Sequence, residues 1–280
     1  MSGAHETGVI NFYDTHPINE DEILAKVAAQ GKSLDALTQA DLKDFDQDHY
    51  GGTEILDTLA DLAGIGSSQH VLDVCSGMGG PARWLAYQRG CRVSGLDFTL
   101  SRVEAAKRLT ARVNLGHLVD FAHGDATAMP LSASHYDVLI AQEAWLHIAD
   151  KNALIAECVR VLKSGGIIAF TDIVTRSPLD PPTEQRLAAE MRTAIILSAK
   201  DYATLLENHG CVITTQDDLS AEWKTILLDR LEMYRSLRDT TVEKFGESGY
   251  QQYDDAYSHY VGCFVANKLG GVRMVARKEP

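Results

Sequence analysis

Three carboxylates stand at the ends of successive apolar runs, and the first of them precedes a glycine turn. Asp73 lies in the run Val71–Val74, and Gly77, Gly79 and Gly80 follow it. Gly77, Gly79 and Ala82 also satisfy a permissive dinucleotide fingerprint. A phosphate-binding turn has no use for a carboxylate four residues before its first glycine, because the acid would repel the ligand. A cationic ligand would be attracted by it. Asp97 closes a second run, Cys91–Leu96, 24 residues after Asp73. A carboxylate at that separation can accept both hydroxyl protons of a ribose. A third run, Val119–His123, leads into Asp125 and Ala126.

A fourth run, Tyr136–Ala141, is followed at once by Gln142, Glu143, Trp145 and His147. Polar residues directly after a buried strand are poised at the ligand edge of an open sheet. His147 is suited to accept a proton near neutral pH, or to serve as a helix-face histidine satisfied by a carbonyl. Trp145 reads either as core or as a face offered to a cationic amine. Gln142 and Glu143 can bond a ligand, and Glu143 can equally point to solvent.

The elements that must position these groups alternate strand and helix. Strands are expected near 70–74, 91–96, 119–123, 136–141, 167–172 and 211–217, with helices near 80–89, 100–113 and 151–162. Such alternation predicts a parallel sheet with helices on both faces. Lys163-Ser-Gly-Gly166 is expected to stop the preceding helix with its glycines. Residues 270–277 read as a last strand with no helix before it in a βαβ register. Residues 1–55 are helical, with Asn19 as a cap and Thr38-Gln-Ala-Asp41 as a capping box. Tyr250, Tyr253, Tyr257, Tyr260 and Phe264 lie on one helix face, spaced as a core stripe or as a partly polar cavity wall. Segments 1–55, 174–200 and 219–268 are expected to roof the carboxyl edge of the sheet.

Composition bounds the function. The 280 residues are 45% hydrophobic, enough for one domain with an elaborated cap. No apolar run approaches a membrane span, the N-terminus has no signal-peptide core, and the five cysteines form no close pair, so a cytoplasmic protein with reduced thiols is expected. The net charge is −13, and residues 1–60 hold 12 acids against 3 lysines. Such a surface repels nucleic-acid phosphates and anionic lipid.

The stretch Val71–Gly80 with Asp97 and Asp125 resembles the cofactor motifs of class I S-adenosylmethionine (SAM) methyltransferases. Residues 141–147, Asp150-Lys151, 160–166 and 170–173 resemble the corresponding blocks of sarcosine/dimethylglycine N-methyltransferases and, less closely, phosphoethanolamine N-methyltransferases. Asp46-Gln-Asp-His-Tyr-Gly-Gly52 resembles a block that precedes motif I in many relatives. The resemblance covers about residues 45–175. It implies a Rossmann-like α/β fold with seven strands, the last antiparallel, under a helical cap. The whole chain is then one methyltransferase domain, with a cap at 1–55, a SAM-binding core at 56–173, cap insertions within 174–268 and the last strand at 269–280.

The resemblance also implies roles. SAM is the expected cofactor and S-adenosylhomocysteine its product. Asp73, Ser76, Gly77, Gly79, Asp97, Phe98, Asp125, Ala126 and Gln142 are the expected cofactor contacts, with Asp125 facing the adenine amine and Met129 packing on the ring. His147, Tyr50 and His49 are the expected catalytic residues. Trp145, Tyr13, Asp172 and Tyr257 are the expected substrate contacts. The catalytic tyrosine of the phosphoethanolamine enzymes maps to Tyr13 or Tyr50. No metal is expected. The implied reaction is N-methylation of a small amine or amino acid, with O- or C-methylation of a natural product and a non-catalytic SAM-binding protein as alternatives. The expected partner is a small-molecule substrate, without nucleic acid or membrane, and a homodimer stays open.

Overall fold

The structure is a computed structural model that describes residues 3–16 and 18–280. Its sheet is made of β1 (His70–Val74), β2 (Arg92–Asp97), β3 (Val119–His123), β4 (Tyr136–Gln142), β5 (Leu162–Thr175), β6 (Cys211–Asp218) and β7 (Leu269–Lys278). The strand order is β3-β2-β1-β4-β5-β7-β6, and β7 runs antiparallel to both its neighbours. This is the expected class I methyltransferase sheet. Val138, Leu139, Ile140 and Ala141 are all buried, so β4 reads as a continuous apolar run because helices cover both its faces. The edge strand β6 alternates instead, since one face meets solvent.

Helices α4 (Gly52–Leu62), α5 (Gly80–Arg89) and α6 (Leu100–Arg112) pack one face of the sheet around Leu56, Leu85, Val71 and Ile140. Helices α7 (Lys151–Val161) and α9 (Ala199–Asn208) pack the other around Leu154, Leu206, Leu139 and Phe170. α4 crosses the expected cap boundary at residue 55 because Ile55, Leu56 and Leu59 are core residues. The roof comprises α1 (Gly3–Asp14), α2 (Glu20–Ala29), the short α3 (Gln39–Leu42), α8 (Pro181–Met191), α10 (Ser220–Ser236) and α11 (Arg238–Val265). Asn19 caps α2 by accepting from the Glu22 amide, and Thr38 and Asp41 form the capping box of α3. Gly271 of β7 lets α10 approach, since a Cβ there would sit 2.3 Å from the Trp223 ring. Among the described residues no helix is long and apolar enough to cross a membrane.

Two expectations change. α7 ends at Val161 and Leu162 is already extended, so the glycines do not cap it. Gly165 takes a left-handed φ of 73° inside the extended segment that becomes β5. The helix stops where Leu162 pairs with Tyr136, ahead of the glycines. The aromatic stripe is divided: Tyr250, Tyr260 and Phe264 are buried, but Tyr253 is 43% exposed. Tyr234 of α10 stacks on Tyr250 and touches Tyr253, so part of the stripe joins α10 to α11.

A buried ion pair locks the roof onto the core. Arg83 of α5 donates to Asp46 Oδ2 at 2.8 Å and to Gln39 Oε1 at 2.9 Å, and both charged side chains are fully buried. Asp46→Ala strands a buried guanidinium, which typically costs about 3–5 kcal/mol. Urea unfolding is expected to show a loss of that order, and a loss below about 1 kcal/mol would mean that Arg83 recovers water.

Candidate active site

The chain turns sharply after β1. Cys75, Gly77 and Gly79 all take positive φ, at 64°, 52° and 76°. Gly79 has a second reason to be glycine, because a Cβ would lie 2.3 Å from Phe121. The turn opens a cleft at the carboxyl ends of β1, β2 and β4, enclosing about 1120 Å³ with the solvent at its mouth included. Asp73, Ser76 and Gly77 line its floor; Asp97, Phe98, Asp125 and Ala126 line one side. Gln142, Glu143 and His147 line the other side, and Tyr13, Asp48 and His49 come from the N-terminal roof.

The floor carries polar atoms with nothing to bond. Asp73 Oδ2, Ser76 Oγ and Gln142 Oε1 are buried without a partner. Burial, and then the charge of Asp97, push the Asp73 carboxyl up to about 7. Asp97 is held by two loop amides, Gly77 N–H and Thr99 N–H, each donating at 2.8 Å, and burial raises its pKa. Asp125 Oδ1 accepts from the amide and hydroxyl of Thr127, both at 2.7 Å. Gln142 Nε2 donates to His49 Nδ1 at 3.1 Å, and His49 Nε2 in turn bonds Gln47 Oε1 at 2.9 Å. Burial holds His49 down to about 4, so it stays neutral and orients Gln142. The one arginine in the lining, Arg102, donates to the carbonyls of Ile18 and Tyr13. Orphaned acceptors around buried acids fit a ligand that brings a cation and hydroxyl donors, as SAM does.

Glu143 was left open between ligand and solvent by its sequence position, and the structure makes it half-buried with its Oε1 fully enclosed. Its φ is +43°, a strained value for this residue type. The Glu143 amide donates to Thr171 O at 2.8 Å, and Oε2 accepts from the Tyr50 amide at 2.7 Å. Oε1 has no partner. Burial pushes the carboxyl up to about 8. The signal available in the sequence was an acid next to Gln142, just past the apolar stretch Val138–Ala141.

His147 sits in a 3-10 turn, Trp145–His147, between β4 and α7. Its Nδ1 is 2.9 Å from Arg192 O, a carbonyl that only accepts, so Nδ1 carries the proton. The neutral ring then presents Nε2 to the Tyr13 hydroxyl, which donates at 2.9 Å. Burial lowers His147 to about 4 and raises the Tyr13 phenol well above its ordinary value. Of the two tyrosines that could map to a catalytic position, Tyr13 meets the histidine.

Other expected contacts lie outside this lining. Trp145 is buried against Phe170, at 4.4 Å between centroids, and Tyr202. Asp172 accepts from the Tyr202 hydroxyl at 2.6 Å. The Tyr50 hydroxyl bonds Tyr260 at 2.9 Å, and its ring packs on Trp223. Tyr257 packs between Tyr253 and Tyr260, and Met129 belongs to the core.

Known proteins share this architecture. Residues 72–170 match the family described as a methyltransferase domain. The chain is 28% identical over 209 residues to methyltransferase GfsG of Streptomyces halstedii, covering 74% of each chain. It is 32% identical over 108 residues to a sarcosine/dimethylglycine N-methyltransferase of Halorhodospira halochloris, covering 39% of each. The structure of Haemonchus contortus phosphoethanolamine N-methyltransferase 2 with phosphomonomethylethanolamine and S-adenosylhomocysteine matches with a TM-score of 0.77 at 18% identity. That likeness covers 96% of this chain and 60% of the other, and at this identity it speaks for the fold alone. The chain spans less than half the length of the phosphoethanolamine N-methyltransferases of Zea mays and Triticum aestivum that it also matches. Residues 72–170 thus form a methyltransferase domain on a class I methyltransferase sheet, and S-adenosylmethionine is its cofactor.

Proposed function

We propose that the protein methylates nitrogen in a small amine, an N-methylated glycine or a similar amino acid. The observation that carries this reading is Glu143, a buried carboxyl with an unpartnered oxygen in a cleft that also holds Asp73, Asp97 and Asp125. Such a cleft suits a substrate that arrives as a cation and must lose a proton. The similarity to a sarcosine/dimethylglycine N-methyltransferase supports the same substrate class.

Bound in the cleft, SAM would supply an electrophilic methyl group, with S-adenosylhomocysteine as the product. Asp73, Ser76 and Gln142 would hold its amino-acid end, Asp97 its ribose, and Asp125 with Phe98 and Ala126 its base. Glu143 Oε1 accepts the proton of the substrate ammonium and so frees the lone pair. Tyr13, locked by its bond to His147, orients the substrate through its remaining lone pairs. His49 acts on Gln142 and not on the substrate.

The test is methyl transfer from labelled SAM to sarcosine, dimethylglycine, histidine, ethanolamine and simple phenols, alongside calorimetric binding of SAM to wild type and Asp97→Ala. Transfer to amino-acid nitrogen, with SAM binding weakened in the variant, is the expected result. Turnover confined to phenols would overturn the amine reading in favour of O-methylation. SAM binding without turnover on any acceptor would point to a SAM-binding regulator.

A further inference from the structure

We infer that Lys151 is a positioning residue, a buried ammonium that ties the His147 turn to the 192–198 segment and thereby sets the tautomer in which His147 meets Tyr13. Lys151 is the first residue of α7 and is 5% exposed. Its Nζ donates to Trp145 O at 2.6 Å, to Ile195 O at 2.7 Å and to Ile148 O. An ammonium has three donors, and here all three go to backbone carbonyls. Two of those carbonyls bracket His147 in the chain. The third belongs to the segment whose Arg192 carbonyl accepts from His147 Nδ1. The same segment returns a bond from the Ala194 amide to Leu146 O at 2.8 Å.

A neutral side chain would cap these carbonyls less well, because a charged donor makes shorter and stronger bonds. Burying an ammonium without a bonded carboxylate is unfavourable, so packing alone gives no reason for a lysine here. Asp172 of β5 is the acid whose field supports the charge, and its own bond goes to Tyr202 of α9. Cys75, on the turn after β1, and His147 are the other titratable groups that face it. Burial draws Lys151 down to about 8, so its charge is present below that pH and is lost above it. Loss of the charge loosens the turn, and the Arg192 carbonyl ceases to hold the Nδ1 proton in place.

The kinetic part of this inference rests on the proposed role of His147 and Tyr13, whereas the tautomer can be read without any turnover. The experiment is ¹⁵N NMR of the His147 ring in the S-adenosylhomocysteine complex of wild type, Lys151→Met and Lys151→Gln, with kinetics on the same proteins. Wild type is expected to show one tautomer protonated at Nδ1. Lys151→Met is expected to show averaged ring nitrogens and a turnover lower by about 10–100-fold, the scale of a misplaced catalytic group, with the SAM dissociation constant within about twofold. Lys151→Gln, which keeps two donors, is expected to fall between them and serves if the methionine variant fails to fold. A folded variant with the wild-type tautomer overturns the inference even if amine methylation is established. An averaged tautomer in the variants sustains it even if the acceptor proves not to be an amine.

Discussion

Replacing Glu143 with glutamine is expected to lower turnover by about 10²–10⁴-fold, the usual contribution of a positioned base, while SAM binding stays nearly unchanged. The choice of Glu143 over His147 as proton acceptor rests on magnitudes. An alkyl ammonium holds its proton to a pH of about 10. Transfer to a carboxyl raised to about 8 is uphill by roughly two units, or about 3 kcal/mol. Transfer to an imidazole lowered to about 4 is uphill by roughly six units, or about 8 kcal/mol. His147 is moreover engaged at both nitrogens. The rate of the wild type should therefore rise as pH climbs toward about 8. The cofactor's positive charge favours the carboxylate and shifts this rise to lower pH. Glu143→Gln should lose that limb, and His147→Ala should keep it at reduced turnover. Full turnover with an unchanged pH profile in Glu143→Gln would remove Glu143 from the mechanism.

The second large effect is expected at the floor of the cleft. Asp73→Asn removes the buried charge that, on the proposed placement, faces the cofactor's ammonium, and a hydrogen bond to a charged group is worth about 1.5–3 kcal/mol. Calorimetry should show SAM binding weaker by roughly 10–150-fold. The pH dependence follows from the raised pKa of Asp73. In the ligand-free protein the group is protonated below about 7, and the cation binds its ionised form. SAM affinity in wild type should therefore fall as pH drops below about 7 and level off above it, with proton release on binding in the acid range. The variant should lose that dependence. Stability runs the other way: a carboxyl raised from 3.8 to about 7 on folding stabilises the ligand-free protein in acid, and that contribution disappears as pH rises through about 7. Thermal melts of the ligand-free protein should thus decline toward neutral pH more steeply in wild type than in Asp73→Asn. A pH-independent SAM affinity in wild type would place the ammonium elsewhere.

Local pattern was enough to determine the sheet, the glycine turn and the acids that close its strands. A strand covered on both faces is mostly apolar, and a polar residue at its carboxyl end then falls at the ligand edge, as Asp97 and Gln142 do, with Asp73 one residue before the end of β1. The caps at Asn19 and Thr38 were legible for the same reason, since a cap bonds amides two or three residues away. What periodicity does not encode is the partner of a buried face. Whether Trp145 meets a substrate or Phe170, and whether the tyrosine stripe of α11 meets a cavity or Tyr234, is decided by elements distant in the chain. Tyr13 and His147 are 134 residues apart, and the Tyr50 amide lies 93 residues from the Glu143 carboxyl that it holds. Protonation behaves likewise: burial lowers His147 to about 4 and raises Glu143 to about 8, exchanging the roles that their ordinary pKa values suggest. Desolvation is a property of everything packed around a group, so the proposed proton acceptor could be chosen only from the tertiary structure.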